Sequence, residues 1–263
     1  MTKLGIIGMG WLGTHFAEYS YERFDIWGTT RHKAKLSDKL REQVEVFNYE
    51  LGGALHHLPI QDTQHLIFTI PPSRISDYAS LCKAFFAAIL KLNPSVRIYF
   101  ISSTSVYGKR KGEVDEESKL LPSSENATKL AEVEKILLNT NAYVLRCGGL
   151  IGEKRHPVYY LSGRKQIAKP LAAVNLIHQR DICRFINYSI TNELLPGIYN
   201  LVCPMHPSRK EYYEDVAARL SLKAPDFDEG DQRKGKIVMP ENALNAGFLF
   251  DYQSPFEMPL VRK

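Results

Sequence analysis

The segment Leu4-Gly5-Ile6-Ile7-Gly8-Met9-Gly10-Trp11-Leu12-Gly13 constrains this chain more than any other. A short apolar run, Leu4 to Ile7, leads into Gly8, Gly10 and Gly13 in G-x-G-x-x-G spacing, and a helix over Trp11 to about Tyr19 follows. A lone match of this kind says little. A strand before it and a helix after it, within a first βαβ unit, is the context the motif requires. Gly8 then permits the tight turn, Gly10 lets the backbone approach a pyrophosphate, and Gly13 allows close helix–strand packing. The amides of Trp11 and Leu12 at the helix start face the anion. The spacing points to dinucleotide binding; the alternative is a structural turn that holds no ligand.

The pattern continues along the chain. Strands are expected at Phe24–Thr29, Val44–Asn48, His65–Ile70, Arg97–Ser102 and Ala142–Cys147, with helices at Arg74–Leu92 and about Ala127–Asn139. Pro71-Pro72 stops the fourth strand, since proline cannot continue a central ladder. Strands alternating with helices predict a Rossmann-like α/β fold, a doubly wound parallel sheet with a small C-terminal substrate lobe. The alternation breaks after Gly152, where residues 153–174 are basic, and returns with a helix at Arg180–Thr191 and a strand at Gly197–Val202. A further helix is expected near Ser208–Leu220, and Asp226–Gly235 reads as an exposed loop. The dinucleotide-binding domain is therefore placed at 1–152 plus about 175–203, and the capping lobe at 153–174 plus 204–263.

Composition narrows the class. With 263 residues, 44% hydrophobic and 24% charged, the chain suits a soluble globular protein. A net charge of +5 suits an anionic ligand, but no long Lys/Arg block argues for nucleic acid. Cys82, Cys147, Cys183 and Cys203 form no CxxC pair, so buried reduced thiols are expected rather than a metal or redox motif. His56-His57 has no partner at ligand spacing, and no metal is expected. There is no signal-peptide layout and no membrane-length apolar window, so a cytoplasmic location is expected.

The end of the second strand bears on the cofactor. An NAD site wants an acid there for the ribose hydroxyls. The sequence offers Gly28-Thr29-Thr30-Arg31-His32-Lys33. Arg31, aided by Thr30 and Lys33, matches a 2′-phosphate, which favours NADP over NAD. The other reading is the start of an exposed basic loop.

At Ser102-Ser103-Thr104-Ser105-Val106-Tyr107-Gly108 the chain resembles the extended short-chain dehydrogenase/reductase superfamily, the NAD(P)-dependent epimerase/dehydratase family. Leu145 to Gly152, Asn175 to Ile182 and Tyr199 to Val202 continue the resemblance in the family's order, over nearly the whole chain. It implies a catalytic Ser at Ser103 and a Lys at Lys129 that holds the nicotinamide ribose. It also implies a Tyr four residues before that Lys, where this chain has Glu125. The glycine turn departs as well, from the family's usual T-G-x-x-G-x-x-G. The chain is similar to the family as an atypical member, and three readings stay open. Glu125 substitutes if burial raises its pKa; Tyr107, Tyr159 or Tyr160 enters the site; or dinucleotide is bound without this chemistry, as in a redox sensor or partner-binding protein.

Other residues follow from their positions. Ile70, Pro71 and Pro72 end a strand, where ligands of open α/β sheets sit, and are expected beside the adenosine and ribose, the alternative being prolines that simply start the next helix. Ser102, Gly148 and Gly149 also close strands on the cofactor side. Tyr107, Arg155, His156 and Arg164 are the substrate candidates, the cations as clamps for an acidic or phosphorylated group, the alternative being a solvated basic loop. His178 and Asp181 read as structural at a strand-to-helix turn. The expected activity is that of an NADP-dependent oxidoreductase or epimerase-like enzyme on a small polar, sugar-nucleotide-like substrate. A homodimer is suggested only by the resemblance.

Overall fold

A computed structural model describes residues 1–260. In chain order it contains β1 (Lys3–Ile7), α1 (Trp11–Ser20), β2 (Asp25–Thr30), α2 (Asp38–Gln43), β3 (Glu45–Asn48), β4 (His65–Phe68), α3 (Tyr78–Leu92) and β5 (Arg97–Ser103). There follow β6 (Gly112–Val114), α4 (Glu125–Leu137), β7 (Ala142–Cys147), β8 (Gly149–Ile151), α5 (Val158–Leu161), β9 (Leu176–His178), α6 (Gln179–Thr191) and β10 (Gly197–Leu201). The last elements are α7 (Arg209–Arg219), β11 (Lys236–Val238) and α8 (Glu241–Asn245). Short 3-10 helices lie at Lys33–Lys35, Thr104–Tyr107 and Pro255–Glu257.

Seven strands form one sheet in the order β10-β7-β5-β4-β1-β2-β3. The pairs β3–β2, β2–β1, β1–β4 and β4–β5 are parallel. The order reverses at β1, and such switch points are where open α/β sheets place ligands. The expected Rossmann-like sheet is thus present. The chain divides into two compact units: residues 1–102, 124–145 and 189–198, and residues 103–123, 146–188 and 199–263.

In the first unit the core forms because central strands are apolar throughout. All four residues of β4 are buried, and Phe68 meets Phe85, Phe86 and Phe100 at centroid distances of 5.4, 5.2 and 6.0 Å. Each such ring contributes roughly 1.5–3 kcal/mol by burial. Trp27 is buried too, its indole N–H donating to the Thr63 hydroxyl at 2.9 Å. The second unit packs Ile151, Val158, Val174, Tyr212, Val216 and Phe227 into a separate core. All four cysteines are free and buried, as expected, and burial pushes the Cys82, Cys147 and Cys203 thiols up to about 12.

Several boundaries differ from the sequence expectation for local reasons. Helix α3 starts at Tyr78, not Arg74, because Arg74 is left-handed at φ 69° and cannot continue a helix. Helix α4 starts earlier, at Glu125, because the Ser124 side chain accepts from the Ala127 amide and caps it. Strand β4 ends at Phe68, and the Ile70 carbonyl instead accepts from the Tyr78 hydroxyl at 2.8 Å. The stretch 226–235 is a largely exposed loop, as expected, but two of its residues point inward. Phe227 and Asp231 are buried, and Asp231 accepts from the Lys169 amide at 2.9 Å.

Candidate functional site

In the first unit the chain turns at Gly8, whose φ of 102° favours glycine. The Gly8 amide donates to the Thr29 hydroxyl at 3.0 Å, and the Met9 amide to the Thr29 carbonyl at 2.6 Å. The Gly8 carbonyl accepts from the Thr69 hydroxyl. Both strands that flank β1 therefore pin the turn. A Cβ on Gly13 would stand 2.5 Å from the Gly8 carbonyl oxygen, so the helix packs where no side chain fits. A Cβ on Gly10 would meet nothing within 4 Å. Gly10 caps α1 without a side-chain bond, and the opening amides of a helix lack intrahelical acceptors. Open room beside a helix N-terminus fits a pyrophosphate. Ile70 abuts the turn: its Cγ1 lies 2.8 Å from where a Gly8 Cβ would be.

A cavity of about 470 Å³ opens at the carboxyl ends of β2 and β3. Its wall includes Arg31, His32, Asn48, Glu50 and His57. The register sets Thr30 beside Asn48, and the Tyr49 amide donates to the Thr30 carbonyl at 3.2 Å. The residues just beyond therefore meet, and Arg31 Nη1 lies 3.3 Å from Glu50 Oε1. Their side chains are 65% and 72% exposed, which makes this a surface pair of small net worth. Of the residues expected to meet a 2′-phosphate, Arg31 lines the cavity. The Thr30 hydroxyl accepts from the His32 amide at 3.2 Å, and Lys33 is exposed outside the wall. Sequence reasoning missed Glu50. The acid that meets Arg31 comes from just beyond β3 rather than from the end of β2, and only the β2–β3 register shows it.

Two expected residues of this unit are engaged elsewhere. Ser102 is buried, with its hydroxyl donating to Glu134 on α4, so that proton is spent inside the fold. Lys129 Nζ donates to Glu125 at 2.6 Å and to the Ile75 carbonyl at 2.8 Å. Glu125 is exposed, and its hydrogen bond from Lys129 pulls its carboxyl below the ordinary value. The condition under which Glu125 would serve as proton donor, a pKa raised by burial, is thus not met: the shift runs the other way.

In the second unit a cavity of about 490 Å³ is lined by Ser103, Gly149, Arg155, His156, Tyr160 and Tyr213. Arg209 and Lys236 complete its charged wall, and no Asp or Glu contributes to it among the described residues. Lys236 Nζ donates to the Gly108 carbonyl at 2.9 Å; burial and the nearby Lys169 pull its pKa down. Ser103 accepts from the Ser105 amide at 3.1 Å, which fixes its hydroxyl at the start of the 3-10 turn. Gly148 packs against the Asn175 carbonyl behind the wall, and Gly149 forms part of it.

Three substrate candidates change role. His156 lines the cavity but is buried, contacts the Tyr212 hydroxyl at 2.9 Å, and has its pKa pulled down to about 4 by burial. It is neutral at pH 7 and cannot clamp an anion by charge. Arg164 is exposed and lies outside the wall. Tyr107 is fully buried: its hydroxyl donates to Asn200 Oδ1 and accepts from Arg146 Nη1, both at 2.8 Å. It ties the 3-10 turn to β7 and β10 and is not available to a ligand. Tyr159 packs on the core, and Tyr160 is the tyrosine of the three that stands in the cavity wall. His178 and Asp181 are structural, as expected: His178 rests on Tyr252, and Asp181 accepts from the Asp251 amide at 2.8 Å. No cluster of metal-binding side chains occurs among the described residues. Nor is any described helix long and apolar enough to cross a membrane.

Known proteins place these features. No family model matches the chain. The Escherichia coli (strain K12) protein YeeZ is 30% identical over 277 residues, covering 99% of this chain and all of that protein. A dTDP-glucose 4,6-dehydratase from Bacillus anthracis, solved with NAD, superposes with TM-score 0.77 at 19% identity, over 96% of this chain and 92% of its own. A UDP-glucuronic acid 4-epimerase from Bacillus cereus, also solved with NAD, gives 0.76 at 14% identity, over 98% and 95%. The chain belongs to the family of protein YeeZ and has the fold of the NAD-dependent epimerases and dehydratases, that of the extended short-chain dehydrogenase/reductases.

Proposed function

We propose that the protein binds a nicotinamide dinucleotide at the Gly8–Gly13 turn, prefers NADP, and acts on a small polar, anionic substrate as an oxidoreductase or epimerase-like enzyme. The observation that carries this is the turn itself: hydrogen bonds from both flanking strands hold it, and the room beside Gly10 is open. The bound cofactor would supply hydride transfer. Gly10 and the start of α1 would hold its pyrophosphate, and Arg31 would meet the 2′-phosphate. The cationic cavity of the second unit would hold the substrate, with Arg155, Arg209 and Lys236 on its anionic group. The sugar-nucleotide substrates named for the two solved relatives are the first class to screen. Ser103 would donate to the reacting oxygen. Tyr160, in the same wall, would take the proton-transfer role, since the hydrogen bond from Lys129 holds the Glu125 carboxyl below its ordinary value. General acid–base help of this kind is worth about 10²–10⁴-fold. Titration with NADPH and NADH, read by nicotinamide fluorescence, tests the binding. Turnover lost in Tyr160→Phe tests the proton donor.

A second reading, an NADP-binding sensor without turnover, is favoured by one observation. The Lys129 amine is held by Glu125 and the Ile75 carbonyl. Binding without turnover across a panel of carbonyl and hydroxyl substrates would establish that reading.

A further inference from the structure

We infer that Glu50 sets the cofactor choice of this protein by holding Arg31, so that the pair, not the arginine alone, reads the 2′ position of the adenosine ribose. The inference rests on the dinucleotide reading of the Gly8–Gly13 turn. The cavity beyond β2 and β3 adjoins that turn through Thr29, which bonds the Gly8 and Met9 backbone, and through Thr30, one residue before Arg31. Arg31 and Glu50 both line this cavity, 3.3 Å apart and solvent-facing.

The main chain that carries Glu50 is held in place just beyond the end of β3. Its carbonyl accepts from the Gly53 amide at 2.9 Å, and the Tyr49 amide before it is bonded to Thr30 across the strands. His57 closes the same wall through Nε2, 3.3 Å from the Asn48 carbonyl. The strand register and these backbone bonds bring Glu50 within reach of Arg31, and the exposed carboxylate lies 3.3 Å from the guanidinium.

Such a pair treats the two cofactors differently. A ribose with a free 2′-hydroxyl can donate to Glu50 and leave the ion pair closed. A 2′-phosphate brings close to two negative charges to the same place. It gains Arg31 only by displacing Glu50 and then sits beside a like charge. Wild-type selectivity for NADPH is accordingly held below what Arg31 alone would give. The carboxylate acts as a counterweight that keeps NADH in use.

The test is a set of binding titrations on the full chain with NADPH and NADH, for wild type, Glu50→Gln, Arg31→Ala and the double variant. Both side chains are exposed, and melting curves would confirm folding. Glu50→Gln should tighten NADPH about tenfold and weaken NADH a few-fold, since a surface like charge is lost along with an acceptor. In the Arg31→Ala background the NADPH gain should shrink to a few-fold or less, because Glu50 acts through Arg31. An unchanged NADPH:NADH ratio in Glu50→Gln, with both cofactors binding, would overturn the role of Glu50 and leave the dinucleotide site standing. No binding of either cofactor to wild type would instead overturn the dinucleotide reading, and this inference with it.

Discussion

The two units handle charge in opposite ways. Along the sequence the first carries 13 basic and 13 acidic residues, and the second 21 basic and 16 acidic, so the whole net charge of +5 falls on the second. Their cavities repeat the contrast. In the first unit the arginine at the cavity faces its own carboxylate, Glu50. In the second, Arg155, Arg209 and Lys236 share a wall with no carboxylate. A site built from backbone amides at a glycine turn recognises shape and needs little net charge. A site whose wall holds side-chain cations and no carboxylate attracts anions at a distance and is screened by salt. Under the proposed function the first unit would take the dinucleotide, and the second a small anion that fits its walls.

Four substitution experiments probe this difference in charge, the largest expected effect first. The largest effect is in acid. Each unit holds a buried histidine whose pKa burial pulls down to about 4 from 6.5, His65 in the first and His156 in the second. The unfolded chain therefore binds more protons between those values, and stability present above pH 6.5 is lost as the pH falls to 4. The loss is up to about 3 kcal/mol per histidine. Denaturant melts at pH 7 and 4.5 of His65→Gln and His156→Gln should each show a flatter pH slope than wild type. A slope unchanged in one variant would show that its histidine does not carry the acid sensitivity.

Next in size is Tyr107→Phe. It strips a buried hydroxyl from Arg146 and Asn200 and should cost about 1–3 kcal/mol in the second unit, while NADPH affinity stays as in wild type. Arg209→Ala should weaken protection by inorganic pyrophosphate about tenfold, an effect that shrinks as salt rises. Thermal shift against pyrophosphate concentration measures both. The smallest effect is Arg31→Ala, which should weaken NADPH several-fold and leave NADH nearly unchanged, because its wild-type partner is already a carboxylate.

The same contrast marks what the sequence made legible. The β1–turn–α1 segment could be read because each of its requirements is local: an apolar run, three glycines at fixed spacing, then a helix. Strands β1, β2, β4, β5 and β7 were visible because they are apolar and bounded by breakers. Strands β6, β8, β9 and β11 have three residues each and present no periodicity to find. Arg209 and Lys236 reach the cavity from segments far from Ser103 in sequence, so nothing local marks them. Tyr107 sits inside a suggestive motif, yet its hydroxyl is spent on Arg146 and Asn200, whose side chains only the fold brings to it. Glu50 is the clearest case, since its meaning lies in the strand register that sets it against Arg31.

The central claim is that the open room at Gly10 belongs to a dinucleotide, and Gly10→Val tests it most directly. The backbone at Gly10, φ −89° and ψ −154°, suits any residue, and a Cβ there meets nothing within 4 Å. The variant should melt like wild type yet lose NADPH and NADH together by about a hundredfold or more, as the side chain fills the pyrophosphate's place. Wild-type affinity for both cofactors in a folded Gly10→Val protein would contradict the account.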